Sequence, residues 1–158
     1  MRQSRNLRGI GYTLAEVLIV ISIIGIVTAM SVPKLAKLKD QAQLTGATTR
    51  FARAIMTARQ SAIQRGRRSY FRHSSNNIWV IVDTTSSDSV IVLPRYNIQT
   101  QYGVEVVAPS GVATIEYDPR GVSTQASKQV FAFKHTNSGR VDSLCVTRLG
   151  NTIRERCP

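Results

Sequence analysis

The apolar positions of this chain follow two different periods, with a break near residue 66. From Leu14 to Val32 nearly every position is apolar or small, and from Tyr12 to Val32 there is no Lys or Arg and Glu16 is the only charge. A run of about 20 such residues is long enough to cross a bilayer as a helix. Helical spacing then continues. Leu35, Leu38 and Ala42 share one face. Phe51, Ile55, Ala58 and Ala62 repeat at i, i+4, i+7 and i+11, with Met56 and Ile63 widening the stripe and Arg50, Arg53, Arg59 and Arg65 flanking it. Gly66 supplies the stop. Pro33 falls inside this long helix, where it removes one backbone hydrogen bond and predicts a kink or a locally melted turn. Gly46 and the Thr48-Thr49 pair weaken the turns that follow.

Beyond Gly66 the period changes to two. Short runs rich in Val, Ile, Phe and Tyr occupy 69–73, 78–83, 90–93, 103–107, 112–117, 130–134 and 143–147, with 152–154 as a candidate last strand. Residues 84–89 form a polar turn, and Pro109-Ser110-Gly111 and Pro119-Arg120-Gly121 are tight-turn sequences. The predicted fold class is α+β: one long N-terminal helix packed on a small antiparallel β domain, as one sheet or two. The expected divisions are 1–11 (leader), 12–32 (membrane or core helix), 33–66 (amphipathic helix) and 67–158 (β-rich domain). The chain contains no internal repeat and no low-complexity linker.

Charge sharpens the picture through its location. The 158 residues carry a net charge of +12, of which Arg2, Arg5 and Arg8 contribute three. Residues 33–72 hold ten Lys/Arg against Asp40 alone, a balance of +9, whereas 73–158 hold eight against seven acids. A basic stripe of this kind predicts either anionic partners (lipid head groups or nucleic acid) or a solvated helix face. Trp79, beside Ile78, Val80 and Ile81, predicts core or sheet packing. His73 and His135 are isolated. No Ser/His/Asp set, paired carboxylates, Gly-rich phosphate loop or metal-ligand spacing stands out, so neither an enzyme nor a cofactor or metal is expected.

The start of the apolar run carries the most specific signal. Gly11-Tyr12-Thr13-Leu14-Ala15-Glu16 follows a basic leader, and a carboxylate this close to a bilayer core is costly unless it has a partner. An ordinary secretory signal with a weak small-residue site at Ala29-Met30-Ser31, or a plain membrane anchor, are the competing readings; a Glu at the head of the run suits neither. The segment resembles the class III signal of type IV pilins and type II secretion pseudopilins. That resemblance implies cleavage after Gly11 by a prepilin peptidase, N-methylation at Tyr12 where Phe is usual, and a charge pair between Glu16 and the new amine of its own or a neighbouring subunit. It also implies single-pass residence in the inner membrane before assembly, with the C-terminal domain periplasmic, and then a place in a surface filament among major and minor pilins.

Downstream residues narrow the family. The helix sequence FARAIMTARQSAIQRGR from Phe51, the strand bearing Trp79, Glu116-Tyr117-Asp118-Pro119-Arg120-Gly121 and Ser138-Gly139-Arg140-Val141 resemble the GspH/FimT branch of minor pilins, most of all FimT. The tail Arg154-Glu155-Arg156 is similar to the arginine-bearing C-terminal region through which some FimT-type minor pilins bind DNA. Alternation in an extended tail puts Arg154 and Arg156 on one face, suited to phosphate contact. Arg148 lies nearby, and Arg65, Arg67, Arg68 and Arg72 form a second basic cluster at the helix exit. Solvated arginines are the alternative in both places. Beyond a crossed membrane Cys145 and Cys157 are expected to be bridged. Such a disulfide would pin the tail and contribute about 3 kcal/mol in the chain-entropy model. Pilus assembly with non-specific DNA capture is one implied role, and a type II secretion minor pseudopilin is the other.

Overall fold

A computed structural model describes residues 12–84 and 88–154. The chain divides into two units, Met1–Leu38 and Lys39–Pro158. Helix α1 spans Leu14–Arg65, and its assignment continues without interruption through Pro33 and Gly46. Pro33 therefore removes a hydrogen bond without ending the helix, because the turns on either side remain bonded. At the far end Gly66 takes φ 60°, the left-handed stop its sequence position predicts.

In the second unit, the described residues form eight strands: β1 Ser69–Ser74, β2 Asn77–Asp83, β3 Ser89–Asn97, β4 Val104–Ala108, β5 Val112–Tyr117, β6 Gln129–His135, β7 Val141–Val146 and β8 Thr152–Arg154. A five-residue helix, α2, occupies Ile98–Tyr102 between β3 and β4. The strands form two four-stranded sheets, ordered β3-β2-β1-β5 and β4-β6-β7-β8, with antiparallel pairings throughout. This is the α+β architecture expected, in its two-sheet form. Pro94 sits in edge strand β3, where its missing N–H disrupts no central ladder.

One core serves α1 and both sheets. Phe51, Ile55, Ala58 and Ala62, the stripe read from the sequence, are completely buried. The Phe51 ring lies 4.9 Å from Phe71 of the first sheet and 4.7 Å and 5.0 Å from Phe131 and Phe133 of the second, in edge-on or tilted geometries that favour aromatic pairs. Ala54, Ala58 and Ala62 keep the helix face flat enough for the sheets to approach.

His73 is the exception within that core. It is completely buried beside Phe51 and Phe131, and neither ring nitrogen has a hydrogen-bond partner among the described residues. Burial lowers its pKa, and the backbone at Ser75, too poorly placed to make a full hydrogen bond with the ring, opposes the shift as the lesser effect. A depressed histidine pKa means that the unfolded chain takes up the proton first. Stability is therefore complete above the ordinary value of 6.5 and declines as pH falls from there toward the folded-state pKa. His73→Phe is expected to flatten that decline and to raise stability by about 1 kcal/mol, because an unsatisfied buried polar group is removed. Urea melts at pH 7.5 and 5.5 read both effects.

Candidate functional site

The first unit has the chemistry of a membrane or filament-core helix. Thr13 caps it: its Oγ1 accepts the Glu16 N–H at 3.2 Å, which makes Thr13-Leu14-Ala15-Glu16 a capping-box sequence with Glu16 in the first turn. The acid is thus favoured by the helix dipole whatever further partner it has. This capping role was readable from the Thr-x-x-Glu spacing. Tyr12 and Glu16 line one shallow groove with Val17, Val20 and Ile21. Along the run Ser22, Thr28 and Ser31 donate back to the carbonyls of Leu18, Ile24 and Val27 at 2.7, 2.8 and 2.9 Å, hiding their hydroxyls within the helix. The apolar side chains from Leu14 to Val27 are exposed on every face, so this segment is long and apolar enough to cross a membrane and its own chain does not cover it. Gly11 lies outside the described residues.

In the second unit, the conspicuous turn motifs act as fasteners on α1. Asp118 begins one turn by accepting the N–H groups of Arg120 and Val122 at 3.0 and 2.8 Å. The bond from Val122 foremost, and then the Arg120 guanidinium 2.9 Å from its other oxygen, hold its carboxyl below the usual range. Gly121 follows at φ +77°, and a Cβ there would fall 2.6 Å from Ile63 Cδ1 on the helix. Gly139 closes the β6–β7 turn at φ 66° and donates to the His135 carbonyl at 2.9 Å. From this turn Arg140 donates to Gln41 of α1 at 3.1 Å, while the buried His135 ring lies 3.1 Å from Gln43 and 3.8 Å from Asp40. Gly150 fits a third turn against the ring of Tyr117, whose hydroxyl donates to its carbonyl at 3.1 Å. Burial pushes the Tyr117 pKa up to about 12, and beside it Arg59 donates to Asn151 at 2.6 Å. These motifs lock loops to the helix and assemble no reacting group. Among the described residues no cluster of His, Cys, Asp and Glu is arranged to hold a metal.

The arginines expected to meet DNA have different surroundings. Arg154 is tied down: its guanidinium lies 3.3 Å from Asp142 Oδ2 and donates to Thr49 of α1 at 3.2 Å. Arg148 is exposed in the β7–β8 turn, and Arg156 lies outside the described residues. Of the second cluster, Arg65, Arg68 and Arg72 are exposed and Arg67 is half-buried. Arg68 pairs with Glu116 at 3.2 Å, and the Arg72 guanidinium lies 5.8 Å from the Tyr70 ring. Trp79 packs on the outer face of the first sheet, away from the core, with the Arg95 guanidinium 4.7 Å from its ring. Cys145 is buried on β7, and the proposed partner Cys157 lies outside the described residues.

The apolar exposed helix, the two-sheet domain and the docked turns together define a pilin-like subunit. The family model described as type II transport protein GspH matches residues 47–150, and the chain belongs to that family. It is a minor pilin or pseudopilin, a structural protein and not an enzyme, and the family implies assembly with other pilins. Among solved structures, it is similar to crystal structures of the type IV minor pilin FimU of Pseudomonas aeruginosa in two space groups. The first has a TM-score of 0.60 at 13% identity, covering 75% of this chain and 92% of that one. The second has a TM-score of 0.56 at 13% identity, covering 72% and 93%. At that identity the likeness concerns the fold. No curated protein sequence matches the chain.

Proposed function

We propose that this chain is a minor pilin of a type IV pilus, of the FimT kind. It is made as an inner-membrane precursor with its C-terminal domain in the periplasm. Prepilin peptidase cuts it after Gly11, Tyr12 is N-methylated, and the subunit enters a filament at low copy. The observation that carries this reading is the helix Leu14–Val27, apolar and exposed on all faces, headed by one carboxylate. Such a surface requires lipid or other helices around it. The Glu16 carboxylate then meets a Tyr12 amine, its own or a neighbour's, and docking relieves the cost of two unpaired charges. A Cys145–Cys157 bridge belongs to the same reading, with Cys145 buried on β7.

The second reading is a type II secretion pseudopilin, favoured by the description of the matched family. The basic excess of this chain supports the pilus, with DNA as an anionic ligand of its displayed domain. Arg148 and Arg156 are the tail residues that the reading makes responsible for DNA contact, with Arg65 and Arg67 as the second site. Arg154 and Arg68 would have to exchange an acid for a phosphate. A mobility-shift titration of the detergent-solubilised full chain tests this at two salt concentrations. Arg148→Ala/Arg156→Ala is expected to weaken binding to all sequences alike and to reduce the salt slope by about two. No binding by the unaltered chain at low salt would remove DNA capture and leave an assembly role.

A further inference from the structure

Between α1, the end of β3 and α2 lies a cleft of about 580 Å³ whose walls include Arg50, Arg53, Tyr96 and Tyr102. It exists because residue 46 is a glycine: a Cβ there would lie 2.9 Å from the Tyr102 ring, so only glycine lets that ring pack against the helix. Two features are unusual. Neither Arg50 nor Arg53 takes part in an ion pair among the described residues. The Nε of Arg50 is fully buried and has no hydrogen-bond partner, although the guanidinium is held 4.9 Å from the Tyr96 ring. A buried donor with nothing to donate to is costly, and native proteins rarely keep one without a use. No acid lines the cleft.

We propose that this cleft receives a carboxylate side chain from a neighbouring pilin subunit of a different kind, a contact that rests on the pilin reading above. A carboxylate entering the cleft meets the guanidiniums of Arg50 and Arg53, neither of which has an acid of its own chain to pair with among the described residues. Charge argues against a second copy of this chain. Between Glu16 and Asp83 its only acid is Asp40, and residues 33–72 carry a balance of +9, so the helix of a second copy would bring like charges to the cleft. The partner is therefore a pilin with an acidic residue on the surface that faces this helix.

The test places the photo-crosslinking residue p-benzoylphenylalanine at the exposed Ala42, on the rim of the cleft, in the full chain within its own cells. Sheared filaments are then probed for the chain, and the adduct peptide is identified by mass spectrometry. The expected adduct joins Ala42 to an Asp- or Glu-bearing segment of another pilin. Arg50→Glu/Arg53→Glu is expected to lower its yield about tenfold or more, and replacing the captured acid with Lys to restore it. If the double variant does not fold, Arg53→Glu alone, at an exposed position, is read in the same way. A yield indifferent to charge reversal, or an adduct to DNA, lipid or another copy of this chain, overturns the proposal. Should the chain be absent from filaments altogether, the pilin reading fails with it. Should it be present with a charge-insensitive adduct, the cleft assignment alone fails.

Discussion

Replacing Phe51 with alanine is expected to destabilise the second unit by about 3–5 kcal/mol, a fall in Tm of roughly 15 °C or more. The ring is completely buried and touches Phe71 of one sheet and Phe131 and Phe133 of the other. Among the described residues no other helix side chain has ring contacts into both sheets. Its loss removes transfer energy and opens a space that β1 and β6 cannot both move to fill, because each is hydrogen-bonded into its own sheet. Phe51→Leu, which keeps most of the volume, is expected to cost less than half as much. Chemical denaturation followed by fluorescence of Trp79, the sole Trp and on a sheet face outside the core, measures both.

Glu16→Gln is expected to lower the amount of this chain in filaments by tenfold or more while leaving leader cleavage intact. The choice of Gln is deliberate. Position 16 is the fourth residue of a capping box, where Gln serves nearly as well as Glu, so the helix start is preserved and only the charge is removed. An amine left without its carboxylate in an apolar filament core costs on the order of 3–5 kcal/mol, ample for a tenfold loss of docking. Quantitative immunoblots of sheared filaments against whole cells read the ratio. Normal incorporation of Glu16→Gln would leave Glu16 a capping residue only.

The parts of this fold that were legible in the sequence are those governed by short-range period. The stripe Phe51, Ile55, Ala58 and Ala62 is buried as spaced, and the alternating runs became strands. Trp79, expected in core or sheet packing, takes the sheet face outside the core; because Ile81 shares that face and Ile78, Val80 and Val82 the other, both faces are apolar and the period alone does not say which turns inward. Helix α2 was not legible, because five residues with one buried side chain carry no period; only Asn97 as N-cap and Gly103 as left-handed stop mark it. Three features depend on pairs remote in sequence and leave no local trace. One is the division of the strands between two sheets. Another is the capture of Arg154 by Asp142 and Thr49. The third is the docking of Gly121 on Ile63, where the sequence announces a turn but not what the turn rests on.

Arg154 shows how that limit affects the candidate site. From the tail sequence it reads as an available phosphate contact, yet its guanidinium already holds β8 to β7 and to α1. The cleft at Arg50 shows the reverse. A lone arginine in a helix reads as a solvated charge, and only the packing of Tyr96 and Tyr102 around it leaves a buried nitrogen with nothing to bond.

Whether the chain is a processed pilin-type subunit is read from the intact mass and N-terminal sequence of the protein isolated from its own membranes. The protein is expected to begin at Tyr12, to have lost residues 1–11 and to carry one added methyl group on its N-terminus. A chain retaining the leader, or one cut near Ala29-Met30-Ser31, would contradict the pilin reading.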